Sequence, residues 1–296
     1  MKISLLSQET NLNVGSYRIY IDQFANQIKS TGIEAHISTQ IDQVVTSSDC
    51  IIIGKNNLNL LQDVLKSKKP NQLIGIVHPP LDTKITGDFD FIIVGSMLEK
   101  VYAKQFYDNI FVYDLIEDRY NKIDLKVHKN KSELIVGTHG NHVHLYKYID
   151  ILKTINQWEY SNTLKFINIT DSVSESEKIL KNLKLNFEIK HIKWNLDSFT
   201  DDLKKIDIAI VATLFPKKIK FKNFRKGKYK SDYSFRFKSN TNQGRAFVFY
   251  QLGIPVIEDL SPESFSLNFK EDSSLFYHSD KSLIKNLNKL KNADFR

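Results

Sequence analysis

The feature that most constrains the fold of this chain is a series of short apolar runs rich in isoleucine and valine. Each run is bounded by glycine, proline, asparagine or aspartate, and four of them occupy residues 50–53, 73–77, 91–94 and 110–113. A short run that is apolar throughout is typical of a parallel strand covered on both faces. The runs therefore predict an α/β fold, in which the polar exits of the strands share one edge of a parallel sheet.

The first 38 residues add one strand-helix-strand unit to this pattern. Residues 2–6 form a short apolar run, and apolar side chains recur at helical spacing over residues 16–32. Gly15 lies just before this helix, Gly32 ends it, and residues 33–38 alternate as a strand does. The unit is one βαβ motif.

A polar stretch at residues 117–131 precedes a second alternation of strands and helices. We predict strands at 133–137, 164–169, 187–192 and 206–212, helices at 145–158, 172–183 and 196–204, and a loop at 138–142. Alternation at this spacing is typical of βαβ units. The predicted organisation is an N-terminal domain at 1–120, a linker at 121–131 and a C-terminal domain at 132–296.

The segment 235–259 combines a polar loop, an apolar helix at 246–252 and a strand at 254–257. Free backbone N–H groups and the helix dipole favour an anion where such a helix begins. Three cations, Arg236, Lys238 and Arg245, are close to that point in the sequence. We interpret the segment as a binding site for a diphosphate. The alternative is ordinary α/β architecture, in which many helices begin with asparagine and end with glycine.

The positive charge of the chain is concentrated in one segment. The formal net charge is +8, and residues 217–238 contain ten Lys and Arg against one acid, Asp232. The remaining chain is close to neutral, so the positive charge belongs to one basic loop and not to the protein as a whole. The aromatic residues of this loop can stack on sugar or base rings. The alternative is a solvated loop with aromatic residues that pack on the domain.

Composition excludes several classes of protein. Hydrophobic residues make up 41% of the chain and charged residues 26%, as in soluble globular proteins. The single cysteine, Cys50, excludes disulfides within the chain and metal sites built from several cysteines. No signal peptide and no apolar run near the roughly 20 residues of a membrane span can be recognised. These observations favour a cytoplasmic protein.

At this point four stretches resemble the GT-B glycosyltransferases. They are VGSYRIYIDQFANQIKSTGIEAHI, FDFIIVGSMLEKVY, LIVGTHGNHVHLYKYIDIL and SNTNQGRAFVFYQLGIPVIED, at residues 14–37, 89–102, 134–152 and 239–259. Their order over nearly the whole chain is similar to that of the family. The resemblance implies two Rossmann-like domains facing across a cleft, a nucleotide-sugar donor in the C-terminal domain, and chemistry without a metal ion or other cofactor.

The chain departs from the family at one motif. Many retaining members place two glutamates eight positions apart before the Gly-x-Pro turn, and the corresponding positions here are Asn240 and Val248. Glu258 and Asp259, which the pattern places just past the strand at 254–257, can take over contacts to ribose or sugar hydroxyls. Alternatively, they begin a solvated loop. The departure leaves the donor sugar and the stereochemical course open.

The resemblance also implies which residues contact the substrates. The expected donor-binding residues are Gly137, Thr138, Gly140, Asn141, Arg236, Lys238, Asn242, Gln243, Gly244, Arg245 and Glu258. Gly15 and Ser16 are expected on the acceptor side. Arginine can grip two phosphate oxygens at once, and a glycine permits close backbone approach to a phosphate.

Three residues are candidates for the base that takes the proton of the acceptor hydroxyl. His78 follows a strand and titrates near neutrality, whereas Asp22 lies within a predicted helix and Glu117 begins the polar stretch. Residues in the position of Asp22 are more often on the surface. The sequence leaves the choice among the three open.

Two metal-binding patterns and one cofactor-binding pattern are set aside. The histidines His139, His142 and His144 cross a turn rather than one helix face, and no acid lies near them in the sequence before Asp150. The D-x-D at residues 88–90 leads into a strand, which is an unsuitable position for a metal-nucleotide motif. The GTHG turn is not the G-x-G-x-x-G of an NAD enzyme.

The sequence thus predicts a cytoplasmic glycosyltransferase that moves a sugar from a nucleotide-activated donor to a glycan or a lipid-linked acceptor, in cell-surface polysaccharide synthesis. Contact of the basic loop with an anionic membrane surface is compatible with this prediction, and no nucleic acid is expected as a partner. The alternative is a non-catalytic protein that uses residues 217–238 to bind nucleic acid or carbohydrate.

Overall fold

The computed structural model describes residues 1–79, 81, 85, 87–212, 244–259 and 275–296. The described residues form two compact units, of which the first runs to Asp118 and the second begins at Arg119. The domain limits drawn from the sequence, 1–120 and 132–296, stay predictions.

The first unit contains a parallel sheet of six strands. The strands are β1 Lys2–Leu6, β2 Glu34–Ser38, β3 Cys50–Ile53, β4 Leu73–Val77, β5 Phe91–Val94 and β6 Ile110–Val112, in the order β2-β1-β3-β4-β5-β6. All pairs are parallel. The four isoleucine- and valine-rich runs are therefore confirmed as strands.

Helices connect the strands of the first sheet. They are α1 Gly15–Tyr17, α2 Phe24–Ser30, α3 Ile41–Ser47, α4 Leu61–Ser67 and α5 Met97–Ala103. A π-helical segment, Arg18–Gln23, joins α1 to α2. The helix predicted after Gly15 is thus confirmed, although its middle is wider than an α-helix. The buried side chains Tyr17, Tyr20 and Ile21 lie in or beside this segment.

The second unit also contains six parallel strands. They are β7 Glu133–Gly140, β8 Thr163–Thr170, β9 Glu188–Lys193, β10 Ile208–Val211, β11 Val256–Asp259 and β12 Phe276–Tyr277, in the order β12-β11-β10-β7-β8-β9. Counted within the unit, this order is 3-2-1-4-5-6 read from the other edge, which is the Rossmann order. The direction of the strand order reverses between β7 and β10, so this is the topological switch point.

Apolar residues cover both faces of the second sheet. Leu134 and Val136 of β7 belong to one apolar cluster, whereas Ile135 between them packs against another. The helices of this unit are α6 Ile149–Asn156, α7 Val173–Leu180, α8 Phe199–Lys204, α9 Gly244–Gln251 and α10 Asp280–Leu290, with a 3-10 helix at His142–Tyr148 before α6. A sheet with two covered faces explains why its strands read as apolar runs.

Two strands extend beyond their predicted limits. Residues 138–140, predicted to be part of a loop, continue β7 and pair with β8 as far as Gly140. Glu258 and Asp259, predicted to lie past the strand at 254–257, are buried in β11 and pair with Phe276 and Tyr277 of β12. The physical reason is the same in both cases, since a neighbouring strand satisfies backbone groups that the local sequence suggested would face water.

No helix among the described residues is long and apolar enough to span a membrane.

Candidate functional site

The buried phenol of Tyr148 lies at the switch point of the second sheet. Pairing between β7 and β10 extends only as far as Gly137 and Ala209. Beyond it, the hydroxyl of Tyr148 donates to the carbonyl oxygen of Ile210 at 2.9 Å, accepts from the N–H of Ala212 at 3.0 Å, and lies 2.7 Å from Oγ1 of Thr138. The two strands thus separate at their carboxyl ends. Ligands of open α/β sheets bind outside the carboxyl ends at such a point.

The two glycines of β7 serve different purposes. A side chain at Gly137 would place its Cβ 2.6 Å from Ile206 and 2.8 Å from the carbonyl oxygen of Ile167, so this glycine is required by packing within the unit. Gly140 has φ +141°, a conformation that favours glycine, and a Cβ there would lie 3.3 Å from both Arg245 and His144. Gly140 is the last residue of β7, so it is the glycine that lies at the carboxyl edge of the sheet, beside Arg245.

Thr138 and Asn141, also predicted to bind the donor, have partners within the unit. Thr138 is buried and its hydroxyl contacts Tyr148. Asn141 is exposed, and its side chain accepts from the N–H of Val143 at 3.0 Å, which caps the 3-10 helix, and donates to Asp171 at 2.8 Å. Asn141 therefore fixes the turn that follows Gly140, and its outer face remains accessible.

Arg245, in the first turn of α9, is anchored at the same edge. Its Nη2 donates to the carbonyl oxygen of Ala212 at 2.9 Å, and its own carbonyl oxygen lies 3.1 Å from Nε2 of His139. Its Nη1 is buried and has no hydrogen-bond partner among the described residues. A buried guanidinium N–H without a partner is costly, and an anionic ligand would satisfy it. Gly244, the residue before it, begins the helix.

Tyr277 is the last residue of β12. Like Nη1 of Arg245, its hydroxyl oxygen is buried and has no hydrogen-bond partner among the described residues. Burial raises the pKa of Tyr277 far above its ordinary value, Asp259 and Tyr148 raise it further, and Arg245 opposes them. The phenol is therefore neutral and remains a hydrogen-bond donor. It lies within electrostatic reach of Arg245, so this edge has two donors that lack partners in the described part of the chain.

His144 is close to Arg245 but carries no charge near neutral pH. Burial is the main cause that lowers the pKa of His144 to about 4, the charges of Arg245 and Lys147 lower it further, and Asp171 opposes them. Among the described residues, Arg245 therefore places a fixed positive charge beside a neutral imidazole.

This lowered pKa predicts a loss of stability in mild acid. In the unfolded chain His144 has its ordinary pKa of 6.5, whereas in the folded protein burial lowers this pKa to about 4. The unfolded state thus binds more protons in this window, and the free energy of unfolding falls as pH falls through it. We expect the melting temperature to decrease from pH 6.5 to pH 4, with a shallower decrease in His144→Asn. An equally steep decrease in that variant would contradict the assignment.

Glu258 is already engaged inside the second unit. Its side chain is 1% exposed and accepts a hydrogen bond from the hydroxyl of Tyr250 on α9. The carboxylate therefore ties β11 to α9. The other predicted donor-binding residues, Arg236, Lys238, Asn242 and Gln243, lie outside the described residues, as does the basic segment 217–238.

His78 lies just after β4 in the first unit, and a buried carboxylate faces it. Its backbone has φ 47°, which is uncommon for a residue with a side chain, and its N–H donates to the carbonyl oxygen of Ile93 at 2.6 Å. Its Nε2 lies 3.3 Å from Oε1 of Glu99 on α5. The side chains are 10% and 0% exposed, respectively. Glu99 was not predicted as a site residue, although the Ser96-x-x-Glu99 spacing after a strand marks a helix start.

The other predicted residues of the first unit are less suited to catalysis. Glu117 receives two hydrogen bonds from Arg18, at 2.9 and 3.1 Å, and is buried, so its carboxylate is neutralised within the fold. Asp22 is half-buried in the π-helical segment. Gly15 and Ser16 begin the helix, and a Cβ at Gly15 would meet only Arg18 at an ordinary 3.8 Å.

The histidines of the second unit do not share a ligand site. Within the described part of the chain, no group of three or more His, Cys, Asp or Glu side chains is placed to hold a metal ion. His142 has an acidic neighbour that is distant in the sequence. Its Nδ1 lies 3.0 Å from Oδ1 of Asp171, which follows β8. In the D-x-D, Asp90 accepts from the N–H of Ile74 at 2.7 Å, so it caps a strand.

The two parallel six-stranded sheets, with their helices, define the GT-B architecture of glycosyltransferases. Among solved structures, the chain is similar to the β-glucosyltransferase of T4 phage, with 14% identity and a TM-score of 0.57 over 99% of this chain and 90% of that one. It is also similar to an α-glucosyltransferase solved with UDP, with 10% identity and a TM-score of 0.61 over 98% and 90%.

A third similar structure is a TarM variant from S. aureus. The identity is 11% and the TM-score 0.54, over 86% of this chain but only 51% of the TarM chain. No protein-family model and no curated protein matches the sequence. At these identities the likeness concerns the fold, and the predicted GT-B fold class is confirmed.

Proposed function

We propose that this protein is a glycosyltransferase that uses a uridine diphosphate sugar as donor. The observation that carries the proposal is the buried Nη1 of Arg245, which has no hydrogen-bond partner among the described residues and lies at the switch point of a Rossmann-type sheet. Two similar structures support the choice of nucleotide, since the α-glucosyltransferase and TarM were both solved with UDP. The T4 enzyme was solved with uridine diphosphoglucose.

The chemistry of this site suits a departing diphosphate. Cleavage of the bond between sugar and nucleotide leaves negative charge on the β-phosphate, which fixed donors stabilise best when they are already in place. Arg245 supplies a charged donor, the start of α9 at Gly244 supplies backbone N–H groups, and Gly140 and Asn141 allow close approach from β7. Arg236, Lys238, Asn242 and Gln243 remain proposed donor contacts from the sequence. We assign charge neutralisation to these cations, without a metal ion.

Glycosyl transfer also requires a base for the acceptor hydroxyl if the configuration at the anomeric carbon inverts. His78 is the proposed base, because of the three candidates it alone has a titratable ring nitrogen beside a buried carboxylate. Glu117 is excluded from the proposal because Arg18 already occupies both of its oxygens.

Two classes of acceptor are consistent with the fold. A glycan or lipid-linked acceptor, made in the cytoplasm near an anionic membrane, agrees with the TarM structure, which was solved with α-GlcNAc-glycerol. DNA is the second candidate, because the T4 β-glucosyltransferase is described as a DNA-modifying enzyme and the α-glucosyltransferase was solved with a 13-mer DNA containing a HMU base. The near-complete coverage of both chains and the ten cations in residues 217–238 favour this second candidate.

The experiment that tests the function has two stages. A thermal-shift screen with the diphosphates of uridine, guanosine, adenosine and cytidine should show stabilisation by UDP, of about 2.7 kcal/mol at 100 times the dissociation constant. UDP release from UDP-glucose is then measured with hydroxymethylated duplex DNA, unmodified duplex DNA and an α-GlcNAc-glycerol acceptor. Release that depends on one acceptor identifies its class. Failure of all four diphosphates to stabilise the protein would overturn the proposal.

A further inference from the structure

A cluster of buried polar groups surrounds His78 at the carboxyl edge of the first sheet. The ring of Tyr20 lies 5.4 Å from the ring of His78, between centroids, and Tyr20 is 2% exposed. Glu99 reaches the same imidazole from α5. The cluster therefore draws its side chains from three places in the chain, namely the π-helical segment, the end of β4 and α5.

Two atoms of this cluster lack hydrogen-bond partners within the described part of the chain. They are the hydroxyl oxygen of Tyr20 and Oε1 of Glu99, both buried. The second oxygen of Glu99 accepts from the N–H of Gly95 at 2.6 Å. A buried carboxylate with one hydrogen bond is far from satisfied, since it can accept about four. Its unsatisfied oxygen is the one that faces Nε2 of His78.

The charge of Glu99 acts on two described neighbours, Lys55 and Tyr20. The ammonium of Lys55, just after β3, interacts electrostatically with Glu99, and desolvation lowers the pKa of this lysine despite that attraction. Desolvation also raises the pKa of Tyr20, and the negative charge of Glu99 adds to that effect. Glu99 thus acts as a local negative charge on its neighbours, and its Oε1 lies 3.3 Å from Nε2 of His78, close enough to stabilise an imidazolium there.

Helix capping alone explains only part of this arrangement. Ser96 is the N-cap of α5 and accepts from the N–H of Glu99 at 3.1 Å, so Glu99 occupies the third position of the helix, where glutamate is common. Glu175 has the same relation to the N-cap Ser172 of α7. That side chain is 45% exposed and pairs with Lys178, whereas Glu99 is fully buried and faces a histidine. Capping does not require burial.

We propose that Glu99 is the positioning residue for His78, holding its Nε2–H so that the other ring nitrogen takes the proton of the acceptor hydroxyl. This inference rests on the proposed function, because it concerns the same transfer. In the reacting enzyme Oε1 of Glu99, which lies 3.3 Å from Nε2 of His78 in this structure, accepts the Nε2–H. This selects the tautomer whose Nδ1 has a lone pair, and the charge of Glu99 stabilises the imidazolium that forms.

The transfer balances without a further reactant. The acceptor oxygen forms a bond to the anomeric carbon while its proton moves to His78. The bond from that carbon to the β-phosphate oxygen breaks, and its electron pair leaves with UDP. Glu99 exchanges no proton in this step. His78 returns its proton to water after the product leaves.

The test reads the tautomer of His78 directly. Long-range ¹⁵N–¹H correlation of the histidine rings is recorded for the full chain, and the His78→Asn variant identifies the signal. We expect the Nε2–H tautomer in the wild type and its loss in Glu99→Gln, because the glutamine amide can donate to Nε2 and reverse the preference. Glu175→Gln, at the matched helix position, should leave the signal unchanged.

Kinetics and binding separate this inference from the function on which it rests. With the acceptor that supports UDP release, Glu99→Gln should lower kcat by about 100-fold or more, and KM for UDP-glucose should change by less than about twofold. A wild-type Nδ1–H tautomer, or a tautomer that does not respond to Glu99→Gln, overturns the role of Glu99 even when UDP stabilises the protein. If UDP binds neither the wild type nor Glu99→Gln, the proposed function fails instead. The tautomer still reports on the His78–Glu99 pair in that case.

Discussion

Replacing Arg245 with alanine is expected to remove most of the stabilisation that UDP confers. The guanidinium is held by the carbonyl oxygen of Ala212, and its buried Nη1 has no partner among the described residues. A diphosphate oxygen at this position would form a charge-assisted hydrogen bond, whose loss costs about 1.5–3 kcal/mol, or about 10- to 150-fold in affinity. At a UDP concentration 100 times the wild-type dissociation constant, the stabilisation should fall from about 2.7 kcal/mol to between about 0.3 and 1.4 kcal/mol.

Arg119→Ala is the matched control for this experiment. Arg119 also belongs to the second unit and also donates from Nη2 to a backbone carbonyl at 2.9 Å, that of Leu196. The two variants therefore lose a similar structural hydrogen bond, and both should show lower stability without ligand. UDP should still stabilise Arg119→Ala as it stabilises the wild type. An equal response of both variants to UDP would place the diphosphate elsewhere.

Apolar patterns made most of the strands predictable. Residues 50–53, 73–77 and 91–94 are strands with the limits expected from the sequence, because a parallel strand covered on both faces is apolar at every position. A helix at 246–252 with Arg245 near its start was also expected, since a helix start with a cation is a local feature, and the structure has this helix at Gly244–Gln251. Strands and helix starts can be predicted from the sequence because a few neighbouring residues determine them.

Partners that are distant in the sequence were not predictable in this way. Glu99 lies 21 positions after His78, and nothing in either local sequence indicates that the two side chains meet. The hydroxyl of Tyr148 binds the backbone of β10 more than 60 residues later. Gly137 was expected only as a donor-binding residue, and the sequence did not show that the side chain of Ile206 packs against it and requires a glycine there. Such contacts depend on strand order, which the sequence does not state.

The largest loss of stability is expected from Asp207→Ala, at the opposite edge of the second sheet. Asp207 is 1% exposed and lies just before β10, where its carboxylate accepts from Nζ of Lys126 at 2.9 Å and from the N–H of Ile135 at 3.1 Å. Lys126 is 8% exposed and also donates to the carbonyl oxygen of Ile206. Burial lowers the pKa of Lys126, and Asp207 opposes this by favouring the charged form.

Removing Asp207 would leave a buried ammonium without its main counter-ion, which typically costs about 3–5 kcal/mol. The free energy of unfolding, measured in urea for Asp207→Ala, Lys126→Met and the double variant, should show a smaller loss in the double variant than the sum of the two single losses. Additive losses would mean that the pair is not coupled. Because Asp207 lies at the amino ends of the strands and Arg245 at the carboxyl ends, folded Asp207→Ala should bind UDP like the wild type. A fall in UDP affinity there would show that the two edges of the sheet are not independent.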